Sequence, residues 1–112
     1  MAQLIQEKCV VCRSDSPRVT DQEVAELHPQ VTEWEMTEEN STPQLMRSFR
    51  FPDFAQALAF TGRVGEIAEE EGHHPRIVTE WRNVTVSWWT HAIRGLHRND
   101  FIMAAKTDRL YG

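Results

Sequence analysis

The spacing of apolar positions along the chain switches between a period near 3.6, as on one helix face, and a period of two, as on one strand face. Val24 and Leu27 follow Thr20 at helical spacing. Thr20 with Glu23 three residues on has the form of a capping box, and Pro29 stops the pattern, so a short first helix is predicted. Residues 31–37 and 45–51 alternate instead, with Leu45, Phe49 and Phe51 on one side and turn chemistry at 38–43 between them, which predicts a hairpin. From Asp53 onward Ala57, Phe60, Val64 and Ile67 recur at helical spacing through Glu71. Pro52 suits the first turn of this long helix, and Gly72 and Pro75 supply its stop. Residues 76–81 and 84–89 then alternate about an Arg82-Asn83 turn, with Val84, Val86 and Trp88 sharing one face. Asn99 is the expected N-cap of a last helix, with Asp100 in its first turn, an apolar run at 101–105, and Lys106 and Arg109 near its end.

The resulting order, α-β-β-α-β-β-α, is that of an α+β two-layer sandwich: one four-stranded antiparallel sheet with helices on one face. Residues 1–19 read as an irregular arm and residues 20–112 as the domain. A chain of 112 residues with 40% hydrophobic content and four Trp is enough for one core.

Charge narrows the functional classes. Seventeen acidic against 12 basic residues give a formal charge of -5, which argues against a nucleic-acid ligand. Residues 1–12 lack the charged start and apolar stretch of a signal peptide, and no run approaches the ~20 apolar residues of a membrane span, so a cytoplasmic location is expected. Cys9 and Cys12 form a Cys-x-x-Cys pair in the arm. Two ligands do not complete a zinc site; the pair is expected to be reduced and incidental, with a metal shared across an oligomer or a redox role as the alternatives.

Candidate chemistry concentrates after the central helix. Glu69, Glu70 and Glu71 crowd a helix C-terminus, where acidic groups are disfavoured by roughly 0.3–1 kcal/mol each. Glu70 and Glu71 read as a solvated end, whereas Glu69 and His73 would be an i, i+4 pair in which the carboxylate favours a protonated imidazole. His73 and His74 sit between Gly72 and Pro75, and His91 follows the fourth strand on the face of Thr85, Ser87 and Trp89, opposite Val84, Val86 and Trp88. Three imidazoles beside a flat aromatic surface suit acid-base work on a planar heterocycle. A metal site is the rival arrangement, but adjacent His73 and His74 would not easily face one ion on an extended backbone, and no Asp or Cys lies nearby at a familiar zinc spacing. Trp88 reads as core, while Trp81 and Trp89 are better placed for ligand contact. His28 and His97 are expected at the surface or in caps.

The ordered set Glu69, His73-His74-Pro75, Trp81, His91 and Asp100 resembles the signature of the pterin-4a-carbinolamine dehydratases, known in animals also as a dimerisation cofactor of a homeodomain transcription factor. Trp34, residues 49–54 and the Asn99-Asp100 helix start are also similar, so the resemblance covers residues 20–111 and leaves out the arm. It implies dehydration of 4a-hydroxytetrahydrobiopterin to quinonoid dihydropterin without metal or organic cofactor, recycling the pterin of aromatic amino acid hydroxylases. By the same resemblance His73 and His91 would be the acid-base pair, His74 would bind and polarise substrate, Glu69 would tune the site, and Trp81, Trp89 and Thr90 would contact the pterin. Asp100 would have a structural role. Trp89 and Gly72 depart from the relatives' pattern, which carries a small polar residue at the first position and in some relatives an acidic one at the second. A homodimer is expected, with a tetramer as the larger possibility and phenylalanine hydroxylase as a partner enzyme. The alternatives are a non-catalytic interaction or assembly protein on the same fold, and a role in molybdopterin metabolism.

Overall fold

The computed structural model describes residues 3–11 and 13–112, so Cys12 lies outside the described residues. Three α-helices, α1 (Asp21–Leu27), α2 (Phe54–Glu71) and α3 (Arg98–Tyr111), combine with strands β1 (Glu35–Glu39), β2 (Thr42–Arg50), β3 (Arg76–Glu80) and β4 (Asn83–Trp88). The sheet is antiparallel throughout, in the order β1-β2-β4-β3. Leu45, Phe49, Val84, Val86 and Trp88 are buried together with Ala57, Phe60 and Val64 of α2 and Phe101, Met103 and Ala104 of α3. Polar ties fix the layers: Thr61 of α2 meets Thr79 of β3 at 2.6 Å, and the Trp88 indole donates to Thr107 at 3.2 Å. The sheet's other face carries pairs such as Ser48 and Thr85, hydroxyls 3.0 Å apart.

The α+β sandwich and its element order are those expected, with corrections at the edges. The first strand begins at Glu35 and not at residue 31. Pro29 sits in a 3-10 turn, His28–Gln30, and Val31 and Trp34 are both buried three residues apart, the spacing of a turn and not of a strand. The first hairpin turns on Asn40-Ser41, both with positive φ (52° and 63°), the conformation that matches strand twist in two-residue hairpins. The second turns on Trp81-Arg82, since Glu80 pairs with Asn83. Asp53, not Pro52, starts α2, its carboxylate accepting from Gln56 N at 2.8 Å. His97, not Asn99, is the N-cap of α3 and forms a capping box with Asp100.

The arm is not a loose appendage. Leu4 is fully buried in the core, its amide donating to Gln30 Oε1 at 3.0 Å, and the Arg98 guanidinium grips both oxygens of Glu7 at 2.8 and 2.6 Å. That ion pair holds the Glu7 carboxyl below its ordinary range and raises Arg98.

Candidate active site

The site is built where the two long helices meet the end of β4. Gly72, in the left-handed region at φ 63°, closes α2. The Gly72 amide donates to Glu69 O at 3.3 Å and the His73 amide to Ala68 O at 3.1 Å, the paired bonds of a Schellman stop. Helical phase therefore ends before His73, which corrects the expected Glu69–His73 pair. His73 turns inward and is buried, while His74 stays exposed and takes Glu69, Nε2 to Oε1 2.9 Å.

The partner of His73 is Asp100. Its side chain is completely buried, and Oδ1 lies 2.6 Å from His73 Nε2. Asp100 Oδ2 accepts from the Thr90 hydroxyl at 2.8 Å and from the His97 amide at 2.9 Å. A carboxylate with that donor set accepts only, so Nε2 of His73 carries a proton, and in the neutral ring Nδ1 keeps its lone pair. Among the described residues no hydrogen-bond partner meets Nδ1. No buried side-chain nitrogen or oxygen of the described residues lacks one, so Nδ1 reaches accessible space. The ring is also held flat, stacked on Trp88 with centroids 5.8 Å apart and planes 8° apart.

His91 follows β4 in a 3-10 turn, His91–Ile93, and is exposed. Its Nε2 donates to the His74 carbonyl at 3.3 Å, and the Trp89 ring leans on it with centroids 4.6 Å apart. His73, His74 and His91 line one pocket of about 430 Å³, with Thr90 at its wall. Thr90 donates internally, its hydroxyl to Asp100 and its amide to Gly95 O at 2.9 Å, so it supports His73 and has neither donor left for a ligand. Trp89 borders the neighbouring depression beside Arg76 and Gln44. Trp81 is 72% exposed in the β3–β4 turn, with Arg82 over its ring, at the opposite end of β3 from His74. The structure does not bring it to the histidines.

Five residues gain roles that the sequence reading did not give them. Glu71 is no solvated end: its side chain is largely covered, it accepts the Cys9 amide at 2.7 Å, and Lys106 stands 4.0 Å away. Asn99 holds the arm, donating to Val10 O at 2.7 Å and accepting from Val10 N at 3.0 Å. The three-glutamate run was the signal for Glu71; nothing in the sequence marked Asn99 as an arm contact. Cys9, Val10 and Val11 form part of the pocket lining. Burial, with Glu71 and Asp100 nearby, pushes the Cys9 thiol up to about 12, so it is a neutral thiol at ordinary pH. His97 caps α3, and His28 Nε2 donates to Trp34 O at 2.8 Å, both within the surface or capping roles expected. Among the described residues no three His, Cys, Asp or Glu side chains gather as a metal cluster, and no helix is long and apolar enough to cross a membrane.

Comparison with known proteins finds likeness in both sequence and fold. The family described as Pterin 4 alpha carbinolamine dehydratase matches residues 17–110. A protein of Gloeobacter violaceus named for pterin-4-alpha-carbinolamine dehydratase is 61% identical over 96% of this chain and 92% of its own length. One of Nitrosococcus oceani, named likewise, is 56% identical over 98% of this chain and 97% of its own. The crystal structure of a transcriptional coactivator/pterin dehydratase from Brucella melitensis superposes with a TM-score of 0.76 at 29% identity, covering 86% of this chain and all of that one. A pterin dehydratase-like protein identified as a RuBisCO assembly factor in the alpha-carboxysome gives 0.59 at 28% identity, over 70% of this chain and 90% of its own.

Proposed function

The chain belongs to the pterin 4 alpha carbinolamine dehydratase family, and on that premise we propose that it is a hydro-lyase converting 4a-hydroxytetrahydrobiopterin to quinonoid dihydropterin and water. The observation that carries the reading is the convergence of three imidazoles on one pocket, with His73 fixed through Nε2 by a buried carboxylate and open at Nδ1.

The reaction removes a proton from N5, forms the C4a–N5 double bond with that electron pair, and expels the 4a-hydroxyl, which leaves as water once protonated. His73 Nδ1 is the base for the N5 proton, and Asp100 stabilises the imidazolium that forms, as a buried carboxylate does in other acid-base sites. His91, in contact with solvent, gives the proton to the departing hydroxyl. His74 binds substrate at the pocket mouth and Glu69 orients it. Trp89, leaning on His91, offers its face to the pterin edge.

The physiological role that fits is recycling of the pterin cofactor of aromatic amino acid hydroxylases in the cytoplasm, beside an enzyme such as phenylalanine hydroxylase. Strands β1 and β3 are the open edges of the sheet, and an unpaired edge favours pairing with a second copy, so the proposed state is a homodimer. One neighbour in fold is named as an assembly factor; the assembled histidine pocket favours catalysis over that role. The test is decay of chemically generated 4a-hydroxytetrahydropterin with and without protein, in the presence of a chelator. Acceleration by protein that survives chelation supports the reading, and decay at the uncatalysed rate refutes it.

A further inference from the structure

The arm enters the pocket at one place, and the way it is held there is specific. Asn99 uses both ends of its amide on Val10, one bond to the carbonyl and one from the amide, as a neighbouring strand would. Glu71 takes the amide of the preceding residue, Cys9. Asn99 adjoins Asp100 at the start of α3, and Glu71 lies two residues before His73 at the end of α2. The two side chains that fix the arm therefore project from the two helix ends that fix the His73–Asp100 pair. Farther back, the buried Leu4 and the Glu7–Arg98 ion pair keep the preceding segment seated.

What the arm presents is apolar. Val10 and Val11 line the histidine pocket, yet they are 63% and 86% exposed, two branched side chains standing in water at its rim. Apolar surface left beside a pocket gains when a planar ligand covers it. The family match begins at residue 17, after this segment. The Gloeobacter and Nitrosococcus alignments, at 107 and 110 residues, reach into it, so the arm belongs to a narrower set than the fold.

We propose that residues 9–11 are a substrate-contacting wall of the pterin pocket, with Val10 and Val11 closing over the bound ring, and that Asn99 is the positioning residue that sets this wall. The inference rests on the pterin reading above. The wall acts on binding and leaves the proton transfers to the histidines, so its loss appears in KM and not in kcat.

The test uses the full chain with Val10 and Val11 both changed to Ser, exposed positions whose replacement does not disturb the core, beside Asn99→Ala. Turnover of 4a-hydroxytetrahydropterin is measured together with quenching of Trp fluorescence by 7,8-dihydrobiopterin, a pterin that lacks the 4a-hydroxyl. The double Val variant should raise KM and the Kd for 7,8-dihydrobiopterin by about tenfold, with kcat within a factor of about three. Asn99→Ala should show the same split, with faster hydrogen exchange at the Val10 amide and unchanged exchange in α2 and α3. If wild type turns over and the double Val variant keeps its KM and Kd, the arm is not a wall and the inference fails alone. A wild type that neither turns over nor binds the dihydropterin overturns the pterin reading and this inference with it.

Discussion

His73 Nε2 and Asp100 Oδ1 lie 2.6 Å apart across 27 residues of sequence, joining the end of α2 to the first turn of α3. The buried carboxylate determines which imidazole nitrogen carries the proton and offers the other to the pocket. Asp100→Asn keeps the shape but supplies a neutral amide, so the tautomer is no longer enforced and the imidazolium is no longer stabilised. Steady-state kinetics should show kcat lowered by about 10- to 100-fold, the usual effect of losing a group that orients a functional histidine, with KM changed less. An unchanged kcat in a folded Asp100→Asn protein would remove Asp100 from the account.

Acidification should weaken the fold through the cap of α3. Burial holds His97 below the ordinary imidazole value of 6.5, with nearby His73 acting in the same direction and Asp100 and Glu23 opposing. The cap needs the neutral ring, because Nδ1 accepts from Asn99 N at 3.1 Å. The folded state thus binds fewer protons than the unfolded chain. This stability is fully present above 6.5 and is lost as pH falls through that value and the lower folded one. Urea midpoints should decline from neutral pH into the mildly acidic range, and His97→Asn, which caps without titrating, should flatten the decline. Equal declines in the two proteins would assign the effect to other groups.

Leu4 tests whether the arm is part of the domain. It is fully buried beside α3, so Leu4→Ala removes core volume and should cost about 2–5 kcal/mol in denaturant unfolding. A loss below about 0.5 kcal/mol would mean that the arm lies outside the cooperative unit.

How much of this was legible beforehand follows from which interactions are local. Thr20 and Glu23 cap α1 as a pattern three residues long can announce, and the two faces of β4 follow from strict alternation, with Val84, Val86 and Trp88 buried. The histidines were visible as residue types at the right turns. Their partners were not, because a single left-handed residue, Gly72, ends the helical phase and hands Glu69 to His74. The Asp100–His73 and Asn99–Val10 contacts span 27 and 89 residues, distances over which no periodicity carries information. Val31 and Trp34 misled in the opposite way, since apolar residues in a buried 3-10 turn resemble the start of a strand.

The central claim is that His73 and His91 perform the proton transfers of pterin carbinolamine dehydration from one pocket. The most direct measurement is kcat for wild type, His73→Ala and His91→Ala on chemically generated 4a-hydroxytetrahydropterin, corrected for uncatalysed decay. The account predicts that each substitution lowers kcat by roughly 10²–10⁴, the range for a positioned proton-transfer group, and that the double variant loses less than the product of the two. A kcat near that of wild type in either single variant would contradict it.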